Sequence, residues 1–92
     1  MQEDVRKTLE ERHKTYGLFS DRAIIAQKIK NSMMSSIKWN KLQPDHKEAL
    51  EMIANKIGRI INGDPDYLDS WVDISGYATL VADRITGKAH KT

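Results

Sequence analysis

The feature that most restricts the fold is the punctuation Asn62-Gly63-Asp64-Pro65, set between two long segments of helical period. Upstream of it, Leu50, Ile53, Ala54, Ile57, Ile60 and Ile61 recur at the three- and four-residue spacing of one helix face. Pro44 opens that segment where a helix has no intrahelical N–H bond to lose, and Asp45 and Glu48 suit its positive end. Gly63 stops it. Asp64 as N-cap and Pro65 as first helical residue then start a last helix, from about Pro65 to Ile85. Its main apolar face is Leu68, Trp71, Ile74, Ala78, Val81, Ala82 and Ile85, with Tyr77 and Leu80 on roughly the other side. A helix apolar on two sides is expected to be central, with neighbours or another subunit on both. Residues 44–85 therefore predict a tight antiparallel αα-hairpin.

Residues 2–14 are highly charged, with Val5 and Leu9 four apart, which predicts a short surface helix with a narrow apolar stripe. Tyr16-Gly17-Leu18-Phe19 breaks it, Gly17 supplying the left-handed conformation that ends many helices. Ser20 or Asp21 is the expected N-cap of the next helix, whose stripe includes Ile25, Ile29 and Met33 and which fades near Ser35-Ser36. A connector from Lys38 to Gln43 carries Trp39 and Leu42. Strand alternation and internal repeats are absent from the sequence. The expected fold is all-α: a small helical bundle of three main helices plus a short N-terminal helix, one domain over residues 1–92, with 86–92 as a flexible tail.

Size and charge narrow the function classes. A chain of 92 residues that is 39% hydrophobic builds a thin core, and homo-oligomerisation is the expected remedy. Fifteen Lys and Arg stand against thirteen Asp and Glu, interspersed, so the net charge of +2 does not call for nucleic acid. Lys28, Lys30, Lys38 and Lys41 form only a sparse patch. With no cysteine there are no disulfides and no thiolate metal sites. The polar start Met1-Gln2-Glu3-Asp4-Val5-Arg6-Lys7 and the short apolar runs predict a cytoplasmic protein with no membrane partner.

Two acidic stripes carry the chemical interest. Glu48, Glu51 and Asn55 share one face of the first hairpin arm, and Asp66, Asp69 and Asp73 share one face of the second. Asp73 lies ten residues past Gly63 and Glu51 twelve before it, an axial offset of roughly 3 Å if the arms are antiparallel. Oxygen ligands at that spacing suit Mg²⁺, which takes a few carboxylates and completes its shell with water and phosphate. The same stripes read equally as solvated helix faces. Lys56 and Arg59, on the glutamate helix, either neutralise a triphosphate or pair with the aspartates. Arg12, Lys14 and Tyr16 either meet a phosphate and a base or form a hydrophobic plug. His13, His46 and His90 lack zinc-ligand spacing, and Trp39 and Trp71 read as core anchors.

The stretch from Glu48 through Lys56, Arg59, Gly63, Asp69, Trp71 and Asp73 to Tyr77, together with Arg12-His-Lys-Thr-Tyr16-Gly17-Leu-Phe19, resembles a family of small phage and prophage proteins of unassigned function. That resemblance implies an origin in a phage, a prophage or the bacterial host. More loosely, the chain is similar to the MazG-like all-α nucleoside triphosphate pyrophosphohydrolases, which bind Mg²⁺ through an E-x-x-E pair and an E-x-x-D pair. Glu48-Ala-Leu-Glu51 matches the first pair. Asp66-Tyr-Leu-Asp69 has the second spacing with Asp for Glu, and Asp69 to Asp73 is one residue too long. The likeness implies a Mg²⁺-dependent nucleotide-binding protein or pyrophosphohydrolase. Glu48, Glu51, Asp69 and Asp73 would hold metal, and Asn55, Lys56 and Arg59 would bind the nucleotide. The alternative is a non-catalytic accessory protein that binds a host or phage protein, through the Met33-Met34 face or the Tyr77 and Leu80 side.

Overall fold

The computed structural model describes residues 2–88. Four helices follow one another, α1 (Gln2–Tyr16), α2 (Phe19–Met34), α3 (Pro44–Asn62) and α4 (Leu68–Ile85), with a 3₁₀ turn at Trp39–Lys41 between α2 and α3. The described residues contain no strand, and the fold is the expected all-α bundle with its αα-hairpin. His90, and the part of the expected tail beyond Lys88, lie outside the described residues.

The middle of the bundle is α3, packed by α2 on one side and by α4 on the other, while α1 touches α2 and α3 far less. At 100° per residue, Ala54, Gly58 and Asn62 turn one way and Ala49, Lys56 and Ile60 turn the opposite way. The first set meets α2: a Cβ added at Gly58 would lie 2.8 Å from the Arg22 carbonyl oxygen and 3.6 Å from the Ala26 Cβ. Small residues thus let the two helices approach closely. The core is correspondingly small, with Ala26, Ala49, Ala54 and Ile60 as its buried apolar side chains.

A polar corner joins the two halves. Gly17 has φ +76°, and a side chain there would collide with the backbone oxygen and side chain of Asn62. At Gly63 an added Cβ would run into the Thr15 carbonyl oxygen and the Tyr16 backbone. The Asp64 N–H donates to the Thr15 carbonyl at 2.7 Å. Asn62 Nδ2 donates to the Tyr16 and Leu18 carbonyls at 3.2 and 3.1 Å. Gly63 therefore ends α3 as expected, but it is glycine because another chain segment presses against it; its φ of −127° is not left-handed.

Several boundaries differ from expectation for identifiable reasons. The N-terminal helix α1 runs to Tyr16, two residues past the expected 2–14. Helix α2 starts at Phe19, with Leu18 at the N-cap and no side-chain cap, so neither Ser20 nor Asp21 caps it. The last helix starts at Leu68, not Pro65. Asp64 instead folds a turn, its Oδ1 accepting the Asp66 N–H at 2.9 Å and its carbonyl accepting the Tyr67 N–H at 3.2 Å. His46, one of the histidines without zinc-ligand spacing, has a structural part: its Nδ1 accepts the Gln43 N–H at 3.0 Å and helps start α3. At the far end, Gly87 has φ +79° and its N–H reaches the Arg84 carbonyl, while the Lys88 N–H reaches that of Asp83. That pair of bonds is a Schellman cap, which closes the end of α4.

The expected apolar face of α4 is only partly inside. The side turned to α3 carries Ser70, Asp73, Ile74, Tyr77 and Val81, which are buried or half-buried. Leu68, Trp71 and Ile85 are exposed at 69%, 53% and 62%. The Trp71 indole N–H donates to the Pro65 carbonyl at 2.8 Å, which pins its edge against the loop instead of in the core.

Candidate functional site

On the α4 side of α3, charges are matched. Lys56 Nζ lies 2.8 Å from Asp73 Oδ2, with side-chain exposures of 11% and 45%. A buried ammonium needs such a partner, because an unpaired one would neutralise or unfold its surroundings. At the start of α3, Asp45 and Arg84 form a two-point pair, Nε to Oδ2 at 2.6 Å and Nη2 to Oδ1 at 2.8 Å. The direct bond from Arg84 holds the Asp45 carboxyl below its usual range, and the same bond raises Arg84.

The four acids expected to hold Mg²⁺ are not brought together within the chain. Asp73 faces the Lys56 ammonium. Asp69 Oδ2 accepts the Tyr67 hydroxyl at 3.3 Å, and the Asp69 charge pushes the Tyr67 phenol up. Glu48 lines a groove with Tyr77, Leu80 and Arg84, and Glu51 is half-buried further along α3. Asp66 sits in the loop, so Asp66 and Asp69 do not share a helix face. Among the described residues no group of three or more His, Asp or Glu is placed to hold a metal ion. The described residues therefore do not form the four-carboxylate Mg²⁺ cluster within one chain.

The α2 side is different. Asn55 and Arg59 line a cavity of about 220 Å³ with Phe19, Arg22, Ala23, Ala26 and Gln27. No carboxylate is in that lining. Arg59 Cζ lies 4.7 Å from the Tyr16 ring centre, and Arg22 Cζ lies 5.6 Å from the same ring and 4.9 Å from the Phe19 ring. Tyr16 also meets Tyr67 edge-on at 5.7 Å. Tyr16 is half-buried with two guanidiniums around its ring, while Leu18 and Phe19 of the same turn are exposed. The Nε–H groups of Arg22 and Arg59 are both buried and have no hydrogen-bond partner. Burial lowers the Arg22 pKa, and the charges of Arg59 and Arg12 lower it further, against a smaller opposing effect of Tyr16. Two arginines thus share a hollow with no carboxylate in its lining, where Asn55 Nδ2 makes a long contact, 3.8 Å, to the Met52 sulfur.

Of the expected ligand residues, Asn55 and Arg59 come together and Lys56 points to the opposite side of α3. Arg22 and Gln27 were not foreseen. The available signal was Arg22 one turn before Ala26, a charge on the face where α2 carries its small residues. Gly58 belongs with them, because its missing side chain lets the α2 backbone come close enough for Arg22 to reach the Arg59 side.

Fold and site together define a small all-α protein with a basic, aromatic-backed hollow beside its central helix. The chain belongs to the family described as Domain of unknown function (DUF6378), which matches residues 1–85. No curated protein and no solved structure matches it. No described helix is long and apolar enough to cross a membrane.

Proposed function

We propose that the protein binds a phosphorylated anion, a nucleotide on the reading of the sequence, in the hollow between α2 and α3. The observation that carries the proposal is a cavity lined by two arginines, Arg22 and Arg59, and by no carboxylate, while the Nε–H groups of both arginines are buried without a partner. A buried donor without an acceptor costs free energy, and for a charged donor the cost is larger. Guanidinium forks match phosphate oxygens in shape and charge. A phosphate seated there would accept from both arginines and relieve the repulsion that now lowers Arg22. Asn55 and Gln27 offer amides to orient it.

The proposal concerns binding. The pyrophosphohydrolase form of the reading demands a carboxylate cluster for Mg²⁺ that the described residues of one chain do not form. A bacterial cytoplasm, with or without a phage, is the setting this proposal assumes, since nucleotides are abundant there.

Thermal melts with pyrophosphate and a panel of nucleoside mono- and triphosphates, each with and without Mg²⁺, test it. A ligand that binds only the folded state raises Tm in proportion to the logarithm of its concentration. The expected result is a rise with phosphate-bearing ligands that Arg59→Gln and Arg22→Gln abolish. No rise with any of them would overturn the proposal. A rise that requires Mg²⁺ and is accompanied by pyrophosphate release would reinstate the enzyme.

A further inference from the structure

The chain leaves an unusual amount of surface uncovered. A folded monomer of 10.5 kDa exposes about 5,400 Å² by the scaling of area with mass, whereas this chain exposes 7075 Å². The excess is on the order of 1,600 Å², about twice what each partner contributes to a standard interface. The radius of gyration is 15.4 Å where a compact chain of this length has about 12 Å.

Part of the excess is α1, exposed along residues 4–14; the outer side of α4 is another uncovered apolar surface, and its pattern shows what kind of contact would cover it. Leu68, Trp71, Ser75, Ala78, Ala82 and Ile85 are all exposed. They follow one another at spacings of three, four, three, four and three, the a/d repeat of a helix–helix seam. None is charged. The bulky residues sit at the two ends and the small ones between them, so a second helix can come close at the middle. The seam also continues onto α3, where Leu50 and Ile53 line one groove with Ala78 and Val81.

We infer that this seam is covered by a second copy of the chain, with the two α4 helices antiparallel about a twofold axis between Ser75 and Ala78. The match is with itself. Reversal sets Leu68 of one chain against Ile85 of the other, Trp71 against Ala82, and Ser75 against Ala78. Each large residue except the Leu68–Ile85 pair then faces a small one. Parallel pairing would instead set Trp71 against Trp71 and leave the small residues facing each other across a gap. A twofold contact uses the same patch on both chains, as this one does. The seam lies on the opposite side of α4 from Lys56 and is remote from the Arg22–Arg59 hollow, so the inference is independent of the proposed ligand.

Light scattering on the purified chain at tens of micromolar is expected to give the mass of a dimer. Ala78→Glu and Ser75→Lys each place a charge on an exposed seam position, and each is expected to give a monomer with unchanged helical circular dichroism. Because the chain has no cysteine, Ser75→Cys and Ala78→Cys chains can be mixed under mild oxidation. The mixed pair is expected to cross-link in excess of either pair alone. A monomeric wild-type chain overturns the inference. So does a dimer that survives both charged substitutions, or Ser75→Cys cross-linking to itself as readily as to Ala78→Cys, which marks parallel pairing.

Discussion

The two flanks of α3 treat positive charge in opposite ways. Toward α4, Lys56 and Arg84 each have a carboxylate at salt-bridge distance. Toward α2, Arg22 and Arg59 stack on Tyr16 and Phe19 and leave buried Nε–H groups without acceptors. A stacked ring partly offsets the cost of removing a guanidinium from water but supplies no hydrogen-bond acceptor. One flank therefore pairs its cations with carboxylates of the same chain, and the other stacks them on rings; on the proposed function the second set is the one that meets an anion.

The largest effect expected from breaking this contrast is on the paired flank. Asp73→Leu leaves the Lys56 ammonium buried and unpaired. Removing one partner of a fully buried pair costs about 3–5 kcal/mol. Because Asp73 is 45% exposed, about 2–3 kcal/mol is expected here, a fall in Tm on the order of 10 °C or more for a chain this size. The double substitution Lys56→Met with Asp73→Leu should recover most of it, since two apolar side chains need no partner. Urea or thermal melts of the three variants decide the matter. A single Asp73→Leu variant as stable as the parent would show that Lys56 escapes to solvent and that the pair holds nothing.

Next in size is the close approach of α2 and α3. In Gly58→Ala the new methyl group meets the Arg22 carbonyl oxygen at 2.8 Å, and that oxygen belongs to backbone that cannot swing aside. A helix shift costing about 1–3 kcal/mol is expected, and it would separate Arg22 from Arg59. Stability and ligand response should fall together. A variant that loses only the ligand response would indicate that the hollow opens without loss of packing.

On the stacked flank the expected stability change is smaller and the functional change larger. Arg22→Gln loses stacking worth about 0.5–1 kcal/mol and removes a repulsion with Arg59 and Arg12, so Tm should stay close to that of the parent. Phosphate affinity, by contrast, should weaken roughly ten- to a hundred-fold, the worth of one charge-assisted hydrogen bond. Calorimetric titration with pyrophosphate against parallel melts measures both. A large stability loss with unchanged affinity would make Arg22 a structural residue like Lys56 and erase the contrast.

How far the sequence reaches follows from the same residues. The helices and the hairpin were legible because Pro44, Gly63 and the isoleucine spacing act locally. The start of α4 was not, because Asp64 and Pro65 satisfy every local rule for a helix start while a contact from Thr15, 49 positions earlier in the chain, recruits the Asp64 N–H. Periodicity found the Trp71 stripe but not what covers it: within the chain, α4 turns Ser70, Asp73 and Tyr77 to α3 and leaves Leu68 and Trp71 outside. The acid stripes shared a spacing with a metal site, but spacing does not reveal that a lysine from the facing helix has taken Asp73. That Arg59 and Asn55 share a side of α3 is legible from their helix alone, whereas the place of Arg22 beside them depends on how α2 crosses at Gly58, which is a tertiary fact.

The smallest expected effect belongs to the exposed pair at the end of the paired flank, and it is distinguished by its pH dependence. The Arg84 bond lowers the folded-state pKa of Asp45 relative to the unfolded chain. The contribution of the pair is thus fully present above the ordinary carboxylate pKa and is lost as pH falls through the lower folded value. Asp45→Asn should accordingly melt below the parent at neutral pH, and the two curves should converge on acidification. Added salt should narrow the gap at neutral pH as well, because both side chains lie at the surface. If the gap instead stays constant from neutral pH into acid, the stabilisation comes from Asp45 accepting hydrogen bonds in either protonation state near the α3 N-terminus, and the charge of Arg84 is incidental there. That outcome would still leave Lys56–Asp73 as a place on this flank where matched charge holds two helices together.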